Sequence, residues 1–203
     1  RALSLAEAGE ERGTADRCRL QLISFDLYER GATPEIAEGL TALSRSPHLA
    51  ELDIIRIHRL LANTLSDLAR FQQARSAWQR AIDLALDAES GSELWSSRRG
   101  LALYVLLPQG RFQQAQAIFE GALAYFADSP GWQYELLQNR LNLHLGQGDW
   151  PKLTQTLAQI DRLVEQIEVN TVSNQIWVAY ARARLAIAQG AFREAESHLA
   201  QMA

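Results

Sequence analysis

One signature recurs five times down this 203-residue chain. A small or turn residue is followed two positions on by an aromatic or short side chain. A helix then opens with a small residue and, four later, a bulky one. The sharpest copy is Gly110-Arg111-Phe112 with Ala115 and Phe119. Others are Gly190-Ala191-Phe192 with Ala195 and Leu199, and Ala69-Arg70-Phe71 with Ala74 and Trp78. Gly148-Asp149-Trp150 leads to Leu153 and Leu157, and a fainter copy runs from Gly31-Ala32-Thr33 to Ile36 and Leu40. The anchors Ile36, Ala74, Ala115, Leu153 and Ala195 are 38, 41, 38 and 42 residues apart. A period in this range marks stacked helical repeats, each burying its apolar face against its neighbours.

Periodicity and breakers place the elements. A first helix (A) of each repeat is expected at about 14–30, 50–68, 92–107, 132–147 and 172–189. A second (B) is expected at about 34–45, 72–88, 113–127, 151–168 and 193–202. In helix 72–88, Ala74, Ala77, Trp78, Ala81, Ile82 and Ala85 form one apolar stripe at helical spacing. Thr33 is a suitable N-cap for a helix starting at Pro34 with Glu35 in its first turn. Asp149 is a second candidate cap. Ser90-Gly91-Ser92 and Ser129-Pro130-Gly131 break the chain between repeats. The expected fold is an all-α, right-handed α-solenoid, a superhelix of about five antiparallel helix pairs. One domain, 1–203, would hold repeats at about 14–48, 49–90, 91–129, 130–170 and 171–203. Residues 1–11 read as the tail of a preceding helix. The chain has no initiator Met, so it reads as an excised fragment of a longer protein.

Composition narrows the function. Hydrophobic residues make up 47% and charged residues 22%, ordinary for a globular chain. The longest apolar runs, such as Leu101 to Leu107, fall far short of a membrane span. The net charge of −4 argues against a broad nucleic-acid surface on this segment. Cys18 is the only cysteine, which excludes an intrachain disulfide and suits a cytoplasmic location. The basic residues are 19 Arg and the single Lys152, a bias read as that of a GC-rich, bacterial genome. No nucleophile elbow, phosphate-binding loop or dinucleotide motif is present. The histidines, His48, His58, His144 and His198, form no ligand pair at metal-site spacing. His144 falls at an apolar helix position and reads as a packed core residue. A non-enzymatic chain with no cofactor and no metal is expected.

The signature resembles the tetratricopeptide repeat. That family has Gly, a polar residue and an aromatic in the A–B turn, then a small-large-small set on helix B. Gly110-Arg111-Phe112 with Ala115, Phe119 and Ala122 matches it closely, and Ala69-Arg70-Phe71 with Ala74, Trp78 and Ala81 matches in all but the Gly. The fourth repeat departs, with Leu153, Leu157 and Ile160 on helix B. Tetratricopeptide repeats run 34 residues, and the longer period here is similar to the helical-repeat domain of MalT-type, LuxR-family bacterial transcription activators. That resemblance implies a superhelix that senses an inducer and receives partner proteins.

In tetratricopeptide arrays helix A lines the ligand groove. Carrying that register over gives triplets at i, i+3, i+7, each on one helix face. They are Arg56, Arg59 and Asn63; Glu135, Gln138 and Asn142; and Trp177, Tyr180 and Arg184. Equivalent positions are Gln21, Phe25 and Tyr28, with Ser97 and Tyr104. Arg59 and Asn63 resemble the basic and amide residues of a carboxylate clamp, but Gly100 and Leu101 stand where the next repeat would need polar groups. Amides, Arg and aromatic rings on one wall suit a peptide or sugar-like ligand. The implied function is ligand and partner binding: the sensor and docking region of a bacterial transcription regulator, with a protein or peptide partner or a small-molecule inducer. The alternative is a stand-alone interaction scaffold holding a peptide. Neither involves nucleic-acid or membrane contact by this segment. If Ala115 is where paired helices cross, Ala115→Leu costs about 1–3 kcal/mol in denaturant unfolding; a neutral result would reject the register.

Overall fold

The computed structural model describes residues 12–164 and 172–200. Among these residues there are ten α-helices and no strand. The A helices are α1 (Arg12–Arg30), α3 (Glu51–Asp67), α5 (Gly91–Leu101), α7 (Pro130–Gln147) and α9 (Val172–Ala188). The B helices are α2 (Pro34–Leu43), α4 (Phe71–Asp87), α6 (Phe112–Tyr125), α8 (Trp150–Val164) and α10 (Phe192–Ala200). They alternate as the periodicity requires, and the fold is an all-α repeat solenoid. The tail expected at 1–11 and the C-terminal turn expected for α8 lie outside the described residues.

Local chemistry sets the boundaries. The Thr33 hydroxyl accepts from the Ile36 N–H at 3.3 Å, with Pro34 at the first helical position. Asp149 Oδ1 accepts from the Lys152 N–H at 3.2 Å and does the same for α8. The turn residue of every repeat takes the left-handed conformation: φ is 78° at Gly31, 58° at Ala69, 70° at Gly110, 66° at Gly148 and 76° at Gly190. Glycine adopts it freely, whereas at Ala69 the Cβ makes it costly. The turn geometry therefore holds even where the sequence departs from its own pattern.

The chain divides into two compact units, Arg1–Val105 and Leu106–Ala203. The border falls inside the third repeat. In the first unit α1 through α4 each pack on the helix that follows, and α3 also touches α1 and α5 directly. Contact between successive A helices is what distinguishes a stacked array from separate hairpins. In the second unit α7 packs on α6 and α8, while α9 packs on α7, α8 and α10.

Each unit has its own core. In the first, Leu20, Leu40, Ile57, Ala62, Ala74 and Trp78 are buried together, and Ile55, Ala81 and Ala85 form a satellite cluster. In the second, Tyr134, Leu141, Leu153, Leu157, Ile160 and Ala181 are buried. A large aliphatic side chain moved from water to such a site contributes about 1.5–3 kcal/mol. The small anchors Ala74, Ala115 and Ala195 are all buried. Leu199, expected to fill a gap toward a further repeat, is exposed, because no described helix follows α10.

The third A helix is not one continuous α-helix as expected over 92–107. It changes at Ala102–Leu106 into a π turn. The change lies beside Trp78, whose ring stacks with Tyr104 at 6.3 Å between centroids and 6° between planes. It also lies beside Gly100, where an added Cβ would overlap the Trp78 Cη2. Gly100 is therefore a notch that admits the indole. Widening the helix by one residue per turn is a recognised way to absorb a local mismatch.

Gly100→Ala should therefore lower stability by about 1–3 kcal/mol, and the loss should vanish in a Trp78→Leu background. Equal losses in both backgrounds, measured by denaturant unfolding, would reject the notch. His144 gives the core a dependence on pH, because it is buried. Burial, with Arg140 nearby, holds its imidazole below the usual value of 6.5, and His58 is lowered by burial and Arg80. The unfolded chain binds these protons more readily, so stability is full above pH 6.5 and falls as pH drops below it. Asp16 and Asp149 are held below 3.8 and do not titrate in that window. His144→Phe should flatten the melting-temperature profile between about pH 5 and 7.5; an unchanged slope would remove His144 from the account.

Candidate functional site

The residues that the register singles out stand on the A helices with very different exposure. In the first unit Phe25 and Tyr28 project from α1, with Tyr28 86% exposed. Arg56 on α3 is exposed. Arg59, one turn on, bridges to Glu93 of α5, with Nη1 2.5 Å from Oε2. This ion pair ties two successive A helices together. Asn63 is half-buried, with its Oδ1 enclosed and unpartnered. Ser97 is fully buried and its Oγ likewise lacks a partner. Tyr104 stays exposed on the π turn, one ring face on Trp78. Arg59, Asn63 and Tyr104 thus belong to one unit, with Arg59 committed to a structural bridge.

In the second unit the α7 triplet is less open. Gln138 is only 8% exposed and hydrogen-bonds the Tyr134 side chain one turn earlier, so it serves the core rather than an open wall. Glu135 and Asn142 are half-buried. The α9 triplet is different. Trp177 is 50% exposed and meets Tyr180 edge to face, with centroids 6.2 Å apart. The Arg184 Nη1 donates to the Tyr180 hydroxyl at 2.9 Å, and the guanidinium carbon lies 5.8 Å from the ring centroid. Trp, Tyr and Arg are held in mutual register on a solvated face, so little side-chain entropy remains to be lost on binding.

Register reasoning missed a second kind of feature. A groove of about 640 Å³ runs between α2 and α4, floored by α3. Its counterpart in the second unit, about 550 Å³, runs between α6 and α8 and is floored by α7. Their linings come from three successive helices, so no single-helix pattern announces them. A third feature joins α1 to the segment after α2. The Ser46 hydroxyl donates to Asp16 Oδ2 at 2.5 Å, and Arg19 donates to Oδ1 at 2.7 Å. Burial pushes the Asp16 carboxyl up, but these two bonds outweigh it and hold it below its ordinary value.

Among the described residues no cluster of His, Cys, Asp or Glu could hold a metal ion. No described helix is long and apolar enough to cross a membrane.

No protein-family model and no curated protein matches the chain. Solved structures do. BtubC (BKLC) from P. vanneervenii is similar with a TM-score of 0.70 and 16% identity, covering 99% of this chain and 84% of that one. A kinesin light chain candidate from Podosopora anserina, built of nearly identical TPR-like repeats, has a TM-score of 0.65 at 16% identity, with 92% of each chain covered. A single-substitution form of that same protein scores 0.66 over the same coverage. At this identity the likeness concerns the fold. Together with the repeating left-handed turns and buried small anchors, it makes the fold of this chain that of the TPR-like helical repeat.

Proposed function

We propose that the chain is a protein-interaction scaffold that receives a peptide or protein segment on the exposed faces of its A helices. The observation that supports this most is the Trp177–Tyr180–Arg184 cluster on α9. It combines the three residue types that most often dominate binding energy, already arranged and half exposed. A non-catalytic, cytoplasmic role goes with this reading, and the chain's acidic balance favours protein over nucleic acid as partner.

The 38–42-residue period supports a finer proposal. In it the scaffold is the sensor and docking region of a multidomain bacterial transcription regulator, similar to the MalT type. A small-molecule inducer would then act only through different affinities for two states of the protein.

One experiment tests both levels. Peptides selected from a random library against this chain should bind at least about tenfold more weakly, or about 1.4 kcal/mol, to a Trp177→Ala/Arg184→Ala variant by calorimetry. Peptides that bind both proteins equally would overturn the A-helix face as the docking surface. A parallel thermal-shift screen uses sugars, nucleotides and amino acids. Ligand at a hundredfold excess over Kd stabilises by about 2.7 kcal/mol. A shift with one class supports the sensor reading, and no shift with any of them leaves the interaction scaffold alone standing.

A further inference from the structure

The groove between α2 and α4 is separate from the A-helix face and has its own chemistry. Its floor is apolar, made by Leu61 and Leu65 of α3 with Ala77 of α4. Its rim is cationic: Arg45 follows the end of α2, Arg70 precedes α4, and Arg80 stands in the second half of α4. Glu38 is the one carboxylate in the lining.

What sets these arginines apart is that three of them line one groove. The chain carries more acidic than basic residues, 24 against 20. Arg19, Arg30, Arg59 and Arg182 each find a carboxylate, namely Asp16, Asp26, Glu93 and Asp161. Arg45, Arg70 and Arg80 have no ion-pair partner among the described residues. The groove itself is a product of the repeat, since its counterpart recurs between α6 and α8. The counterpart also has arginines in its lining, Arg140 and Arg162, so a cationic rim recurs with the groove; the one between α2 and α4 carries three.

Spacing restricts what could compensate them. Arg70 and Arg80 are ten residues apart along α4. At about 1.5 Å of rise per residue their backbones lie roughly 15 Å apart. One phosphate group cannot bridge that distance. An extended segment advances about 3.3 Å per residue, so about five residues span it. The apolar floor between the charges asks for at least one aliphatic or aromatic side chain on the same segment.

We propose that this groove is a second docking site, for an acidic peptide segment whose carboxylates are separated by apolar residues. The carboxylates pair with Arg45, Arg70 and Arg80, and the apolar side chain lies on Leu61 and Leu65. Arginine favours such pairing because its planar fork matches a carboxylate. Pairs at an open groove are screened by salt, so affinity falls as ionic strength rises.

The test is fluorescence anisotropy of the 203-residue chain with a labelled peptide of alternating Glu and Leu. Wild type should bind saturably and more weakly at high salt. The Arg45→Glu/Arg70→Glu/Arg80→Glu variant should lose about tenfold or more in affinity. The Arg56→Ala/Arg184→Ala variant, altered on the A-helix face, should bind as wild type does; loss there too would assign the peptide to the A-helix face and overturn the groove. Circular dichroism melts establish that each variant is folded. If charge reversal unfolds the chain, Arg45→Gln/Arg80→Gln takes its place, with a loss of about fivefold expected from two neutralised pairs. Equal affinity in the folded groove variants, or equal binding of a Lys-Leu peptide, would overturn the site. Displacement by inorganic phosphate or single-stranded DNA as effective as by unlabelled peptide would overturn the peptide assignment.

Discussion

The whole array depends on how closely two helices of a pair can approach. That distance is set at one position per pair, five residues after the turn residue. Ala74 and Ala195 occupy it and are buried. A single methyl group lets the paired backbones come close, and the left-handed turn just before it aims helix B back along helix A. Once the pair is closed, its outer stripe is apolar and incomplete, and the next repeat must cover it. Leu153 fills the same position in the fourth pair and is also fully buried. That pair accommodates a bulkier anchor, with Leu157 and Ile160 completing its core. The constraint is on fit rather than on alanine as such.

The parts of the fold legible in the sequence are those coded within one turn and one helix. Thr33-Pro34, Ser129-Pro130 and the Gly-containing turns each determine their own geometry locally, so helix positions followed from them. The π turn at Ala102–Leu106 was not legible. Its run of apolar residues fits an α-helix equally well, and the feature that distinguishes it, Trp78, lies more than twenty residues upstream in another helix. The candidate site divides the same way. The helical spacing of Trp177, Tyr180 and Arg184 placed them on one face, and the three do touch in sequence order. The same spacing could not tell that Gln138 turns toward Tyr134, or that Arg59 is taken by Glu93 from a neighbouring helix. Arg70 and Arg80 are spaced for one side of α4, but only tertiary packing brings Arg45 to the same groove.

Polar groups in this chain therefore fall into three kinds. Some are spent on architecture, as in the Arg59–Glu93 bridge and the Asp16–Ser46 hydrogen bond that fastens α1 to the segment after α2. Some are enclosed and neutral, as with His144, and make the core sensitive to protonation. Others stand at surfaces, such as Arg45, Arg70 and Arg80 around the groove. A stacked array offers two such surfaces, one along the A helices and one in the furrows between B helices. Exposed side chains on each surface, such as Trp177 and Arg80, lie outside the core, so they can change without touching the anchors.

The left-handed turns also determine where this chain can change length. Inside a helix pair the turn residue is left-handed in every repeat, even at Ala69, where the side chain opposes it. Between pairs the joints are unlike one another. Seven residues separate α2 from α3, three separate α4 from α5, and four separate α6 from α7. The portable module of this architecture is the closed hairpin, and insertions, shuffling or engineered grafts have their natural seams between hairpins rather than at the glycine-bearing turns.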